Sequence, residues 1–195
     1  MKNLTRGRDI QFLADQILAP LRASSSDAYI GEEISQLEHA LQCAHWANKH
    51  KADDEAVLAA LCHDIGHIIP SDSPHMDNLG RVNHERIGQE FLVACGCSKR
   101  LGYLVGGHVL AKRYLCFKKD NYFGNLSDAS KETLQWQGGP MLSSEAGSFE
   151  EDDDFKTLLS LRAWDELAKD PNAQVAPLES YRERLEQHIY TQKRT

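Results

Sequence analysis

The chain has 195 residues, 41% of them hydrophobic and 26% charged, with a formal net charge of -7 at pH 7. That size and balance suit one compact domain with its own core. They argue against general nucleic-acid binding, which leaves a basic footprint, and no apolar run approaches the length needed to cross a bilayer.

Read from the start, Met1 to Arg6 lacks the apolar core of a signal peptide, so a cytoplasmic protein is expected. Ile10, Leu13, Ile17 and Leu18 have helical spacing and predict a helix over residues 9–19 that Pro20 helps to end. Residues 1–25 are read as a helix and serine-rich loop leading into one domain that spans 1–195. Residues 32–50 predict a long helix, and Asp53 and Asp54 start another that continues through Ile69. After Glu55 this segment is apolar on nearly every face, as expected of a central, buried helix. Residues 70–80, rich in Ser, Asp, Pro and Gly, predict a loop.

Asn83 is placed to cap a helix running to about Cys95, with Gly96 as its stop. Ser98 caps the next, which the Gly106-Gly107 pair is expected to interrupt before a further helical stretch through Tyr114. Residues 127–137 predict a short helix ended by Gly138-Gly139-Pro140. The acidic stretch 145–154 is expected to be solvated, and residues 155–169 and 178–190 close the chain as helices. No strand pair and no repeat stand out, so the fold class is all-α. The five cysteines are odd in number and form no paired CxxC set, which predicts reduced, packing thiols rather than a zinc ribbon or a disulfide scaffold.

The residues that carry chemistry are histidines and carboxylates. His63-Asp64-Ile65-Gly66-His67 lies in the most apolar segment, where a buried His and Asp are costly unless paired or bound to metal. Adjacent helical side chains diverge by about 100°, so the two approach from different angles. Asp64 has two oxygens and can bridge two cations, whereas His63 has one lone pair to give. His39, His84, His108 and Asp165 complete a set of four imidazoles and two carboxylates. That mix suits iron or another first-row metal better than structural zinc. His45, His50, His75 and His188 are read as surface or packing residues.

At these residues the sequence resembles the HD-domain superfamily, and within it the PhnZ-type 1-hydroxyphosphonate oxygenases. Tyr29-Ile30-Gly31-Glu32, Gln36-Leu37-Glu38-His39, the 63–67 motif, His84-Glu85 and Gly107-His108-Val109 carry the likeness. So do Ala111 to Leu115, Asn125 to Ser130, Gln137 to Met141, and Arg162-Ala163-Trp164-Asp165-Glu166. The HD pair alone is shared with hydrolases; the stretches after Lys112 are more specific. The resemblance implies a single HD-domain helical bundle with one iron on His39, His63, Asp64 and Asp165 and the other on Asp64, His84 and His108. It also implies a mixed-valent Fe(II)/Fe(III) pair, similar to that of myo-inositol oxygenase, with O2 as co-substrate.

The implied substrate is a small anionic 1-hydroxyphosphonate, cleaved to phosphate and a carboxylic acid. Lys112 is implied at the phosphonate, with His67, Ser130, Thr133 and Gln137 around it. Tyr29 is implied to hold an iron site until substrate arrives, and Glu32 to meet a substrate amine. On that account 2-amino-1-hydroxyethylphosphonate, giving glycine, is the expected substrate. Hydroxymethylphosphonate and a trimethylamino analogue are the alternatives within the same chemistry. Two competing readings are an HD phosphohydrolase using metal-bound water and an inactive ligand-binding domain that keeps its metal residues.

Overall fold

The computed structural model describes residues 2–29, 31–76 and 79–194. Ile30 of the Tyr29-Glu32 motif, and Asp77 and Asn78 of the expected 70–80 loop, lie outside the described residues. The architecture is all helical, with two isolated bridges, Ala28 with Ser35 and His75 with Arg81. No helix among the described residues is long and apolar enough to cross a membrane.

Helix α1 (Lys2–Ala23) runs through Pro20 instead of ending there. Proline near a helix end sacrifices one main-chain bond, and burial of Leu18 and Leu21 outweighs that loss. The Ser24 hydroxyl then donates to the Leu21 carbonyl at 2.8 Å, within a short 3-10 turn over Ser24–Ser26.

Helix α2 (Gln36–Lys49) begins four residues later than the sequence pattern predicted. Ser35 and Glu38 form a capping box: the Ser35 hydroxyl accepts from the Glu38 N–H, and the Glu38 carboxylate accepts from the Ser35 N–H at 2.6 Å. This reciprocal pairing fixes the start. The described residues from 27 to 35 thereby form a loop, closed by Tyr29 N–H to Ile34 O (2.8 Å) and Gln36 N–H to Asp27 O (2.8 Å).

The expected long apolar helix is two pieces, α3 (Asp54–Cys62) and α4 (Ile65–Ile68), and His63-Asp64 occupies the break. Every residue from Ala56 to Cys62 is buried, and α3 packs against α2, α6, α10 and α11, as a helix apolar all round should. Asp64 adopts φ -99° and ψ 9°, the sparsely occupied bridge region where many active-site residues sit.

Helix α5 (His84–Ala94) starts after Asn83, which is left-handed (φ 57°) and makes no side-chain cap. Gly96 at φ 88° stops it as expected. Helix α6 (Lys99–Lys118) is capped by Ser98 and runs unbroken through Gly106-Gly107, contrary to the expected interruption. A Cβ on Gly107 would lie 2.7 Å from Leu158, and one on Gly106 would collide with the Gln89 side chain. The pair therefore permits close helix packing and does not end the helix.

Helix α7 (Tyr122–Asn125) is short; α8 (Asp128–Trp136) is capped by Ser127 and ends at Gly138 and Gly139, both at positive φ. The acidic stretch is exposed at Glu150, Glu151 and Asp153, as expected, and it also forms α9 (Ser143–Glu150) and a turn against α6. Glu145 pairs with Arg113, Glu150 with Tyr114 and Lys118, Asp152 with Tyr103, and Asp154 with Arg100. Helix α10 (Phe155–Leu167) and α11 (Arg182–Gln192) complete the bundle, the latter preceded by a 3-10 turn at Leu178–Tyr181. One hydrophobic cluster extends from Ile10 to Ile189. Cys43, Cys62, Cys95 and Cys97 are buried free thiols within it, and Cys116 is a half-buried free thiol outside it.

Candidate metal centre and its cavity

Five helical segments send their polar side chains to one point in this core. His39 comes from α2, His63 and Asp64 from the α3–α4 break, His84 from the first residue of α5, His108 from mid-α6 and Asp165 from α10. The break matters because a continuous helix would carry Asp64 about 100° around from His63. Here instead the Asp64 carboxylate lies between two groups. Its Oδ2 is 3.3 Å from His63 Nε2 and 3.8 Å from His39 Nε2; its Oδ1 is 3.5 Å from both His84 Nε2 and His108 Nε2. Asp165 Oδ1 adds a second carboxylate 3.3 Å from His39 Nε2. Two compact donor sets result, His39–His63–Asp165 and Asp64–His84–His108.

The hydrogen bonds behind the imidazoles decide what these sets can hold. His39 Nδ1 donates to the Ala168 carbonyl (2.9 Å), His63 Nδ1 to Ala60 (2.9 Å) and His108 Nδ1 to Val105 (2.7 Å). In the neutral rings Nε2 is then a bare lone pair. His39 and His63 bring two such lone pairs to 3.1 Å; His108 Nε2 lies 3.1 Å from His84 Nε2, whose ring has no partner at Nδ1 to fix its proton. Two acceptors that close repel unless a cation lies between them. Buried carboxylates beside them strengthen the demand for positive charge. The donor chemistry therefore fits two first-row metal ions, with backbone carbonyls orienting the ligands in the usual manner of histidine sites.

The electrostatics agree with that demand. Burial lowers the proton affinity of His63, but the neighbouring Asp64 carboxylate prevails and raises its pKa well above the imidazole range. Burial likewise opposes ionisation of Asp64, and the His63 and His84 imidazoles prevail to hold it well below the carboxylate range. His108 is pushed down to about 3 by burial and by His84. Buried Asp165 is kept ionised by Arg162, whose Nη1 donates to Asp165 Oδ2 and whose Nε donates to Tyr122 and Glu166, both at 2.9 Å.

A cavity of about 70 Å³ opens over the cluster, with Asp64, His84, His108 and Asp165 in its wall. Tyr29, His67, Lys112, Ser130, Thr133 and Gln137, all singled out in the sequence, also line it. Tyr29 is half-buried and stacked on His39 with ring centroids 3.8 Å apart. His67 lies beyond the break and stacks on His84 at 3.9 Å. Its Nδ1 accepts the Arg81 N–H at 2.9 Å, so in the neutral ring the proton is on Nε2. Burial, then His84, hold its pKa well below the usual value.

Lys112 Nζ donates to Thr133 Oγ1 (2.9 Å) and reaches the Ser130 carbonyl (3.4 Å). Burial and the Arg162 charge lower its pKa to about 8. The Gln137 amide oxygen is buried without a hydrogen-bond partner. Glu32 is placed differently from these six. It is not among the lining residues and accepts from Lys169 Nζ at 2.6 Å.

Sequence reasoning missed four polar wall residues: Gln36, Ser127, Arg162 and Lys169. Arg162 stands three before Asp165 on α10, the spacing of neighbours on a helix face, and that was the available signal; Lys169 lies beyond the end of α10, where no such spacing applies.

Comparison with known proteins gives three relatives and one family. A family model described as an HD domain matches residues 37–114. An uncharacterised protein of Acanthamoeba polyphaga mimivirus is 39% identical over 163 residues, 83% of this chain and 74% of that one. A hydroxymethylphosphonate dioxygenase of Gimesia maris is 36% identical over 171 residues, 87% of this chain and 85% of that one. A [1-hydroxy-2-(trimethylamino)ethyl]phosphonate dioxygenase (glycine-betaine-forming) of Leisingera caerulea is 34% identical over 176 residues, covering 87% and 84%.

Proposed function

We propose that this chain, which belongs to the HD-domain family and within it to the phosphonate oxygenases of the PhnZ type, oxidatively cleaves the carbon–phosphorus bond of a small 1-hydroxyphosphonate. The observation that carries the proposal is Asp64, whose two oxygens each face a separate pair of imidazole nitrogens. His39, His63, Asp64 and Asp165 would hold one iron, and Asp64, His84 and His108 the other. The pair, in the mixed-valent Fe(II)/Fe(III) state, would supply activation of O2 and Lewis-acid binding of the substrate. One O2 is consumed, both its atoms enter the products, and these are phosphate and a carboxylic acid.

The chain's own residues then position and shield the reactants. Lys112 places an ammonium, held by Thr133 Oγ1, where a phosphonate enters the cavity. The Ser130 and Thr133 side chains stand beside it. His67 presents its Nε2–H, and the unpaired Gln137 oxygen can accept from a substrate hydroxyl. Tyr29 covers His39 and excludes water from that side of the cluster until substrate displaces it. The net charge does not oppose an anionic substrate, because Lys112, Arg162 and Lys169 make the wall locally cationic.

The test loads the purified protein with iron anaerobically, adds hydroxymethylphosphonate or 2-amino-1-hydroxyethylphosphonate, and admits oxygen. The proposal requires O2 uptake coupled one-to-one to phosphate release. Oxygen-independent phosphate release from a phosphate ester, with neither phosphonate consumed, would instead support a hydrolase.

A further inference from the structure

We infer that Lys169 is a specificity-determining residue that restricts the substrate to 1-hydroxyphosphonates without a cationic substituent. The inference rests on the oxygenase reading above and narrows its substrate class. It revises the aminated substrate expected from Glu32 in the sequence.

A substrate ammonium needs a carboxylate that is free to receive it. Among the described wall residues the carboxylates are Asp64 and Asp165, and both belong to the donor sets of the metal centre. Glu32, the remaining candidate, accepts from Lys169 Nζ at 2.6 Å, and Nζ also reaches Ser127 Oγ at 3.4 Å. The Lys169 and Glu32 side chains are only 22% and 19% exposed, so solvent screens their attraction weakly. It is the lysine, not the glutamate, that lines the cavity.

Lys169 is also fixed in place. The carbonyl of the preceding residue, Ala168, accepts from His39 Nδ1, and the following residue, Asp170, exchanges two hydrogen bonds with the Gln42 amide. The lysine backbone is thus tied to α2 on both sides, and its ammonium is directed at the 27–35 loop. The chain fills with its own cation the place where a substrate ammonium would find its partner. An ammonium-bearing substrate would have to displace this ammonium, then leave it without a carboxylate in a wall that already carries Lys112 and Arg162.

The test compares kcat/KM, read as O2 uptake, for hydroxymethylphosphonate and 2-amino-1-hydroxyethylphosphonate on the iron-loaded enzyme. The native chain should favour hydroxymethylphosphonate by at least about tenfold, the equivalent of 1.4 kcal/mol. Lys169→Met should free Glu32 and move the ratio at least about tenfold toward the aminated compound. Lys169→Gln serves if the methionine variant does not fold. The double variant Lys169→Met/Glu32→Gln should lose that gain. A native preference for the aminated compound overturns the inference, as does an unchanged ratio in the single variant or a gain that survives in the double one. If neither phosphonate supports O2 uptake, the oxygenase reading itself falls and takes the inference with it.

Discussion

Gly66 packs so tightly against the main chain of His84 that a Cβ on it would collide with the His84 carbonyl oxygen. This contact joins α4 to the first residue of α5 and so sets the distance between Asp64 and His84. Gly66→Ala should displace the His84 backbone, cost about 1–3 kcal/mol as other overpacking changes do, and lower oxygenase activity. Gly147→Ala is the control. It lies in α9 with open space around it and should gain about 0.5–1 kcal/mol. Thermal melts of the two variants give the answer; a Gly66→Ala protein as stable as the native one contradicts the assigned role.

The proposed bridging role of Asp64 predicts unequal losses of metal. Asp64→Ala would remove a ligand from both proposed ions and should leave neither bound after gel filtration. His84→Ala removes a donor from one set only and should retain about one ion per chain. Loss of even the orienting partner behind a ligand commonly costs about 10–100-fold in metal affinity or activity. Iron content by mass spectrometry distinguishes the two variants; equal retention in both would refute the bridge.

Arg162 and Asp165 are each about 6% exposed and bonded to one another. Arg162→Met should therefore leave a buried carboxylate without its guanidinium partner and destabilise the chain by about 3–5 kcal/mol. Urea denaturation reads this directly. A change below about 1 kcal/mol would mean that the remaining partners of Asp165 suffice.

Lys112 gives a pH dependence whose sign is fixed. A lysine with its pKa lowered to about 8 is an ammonium below that pH and a neutral amine above it. The ammonium attracts a phosphonate dianion, so kcat/KM should fall as pH rises through about 8. Because bound dianion favours the charged lysine, kcat at saturation should fall at a higher pH than kcat/KM. Lys112→Gln should show no such limb and a lower kcat/KM at pH 7. A native profile flat to pH 9.5 would remove Lys112 from phosphonate binding.

The sequence already displayed the all-helical class and the six residues that converge at the candidate centre, because burying His and Asp in an apolar helix signals a paired or metal-bound state. It did not display the break at His63-Asp64. Apolar residues flank the pair on both sides, so no local pattern marks where the helix stops. The Gly106-Gly107 pair misled for the same reason: local propensity suggests interruption, whereas packing on Leu158 and Gln89 requires the absent side chains. Glu145, Glu150, Asp152 and Asp154 found partners on α6 that no local pattern reveals. The Ser35-Glu38 capping box was legible and would have moved the start of α2 to its observed place. The Lys169–Glu32 pair spans most of the chain and became visible only in three dimensions.

The two halves of the metal centre differ in how much of the chain each requires. Asp64, His84 and His108 are all present once residue 108 has been made, within helices that pack on one another. His39 and His63 must wait for Asp165, near the end of α10. Since synthesis proceeds from the N-terminus, the Asp64–His84–His108 set can form while the last quarter of the chain is still absent. The His39–His63–Asp165 set can close only once α10 has been made. Asp64, the proposed bridge between them, thus links an early event in the life of the polypeptide to a late one.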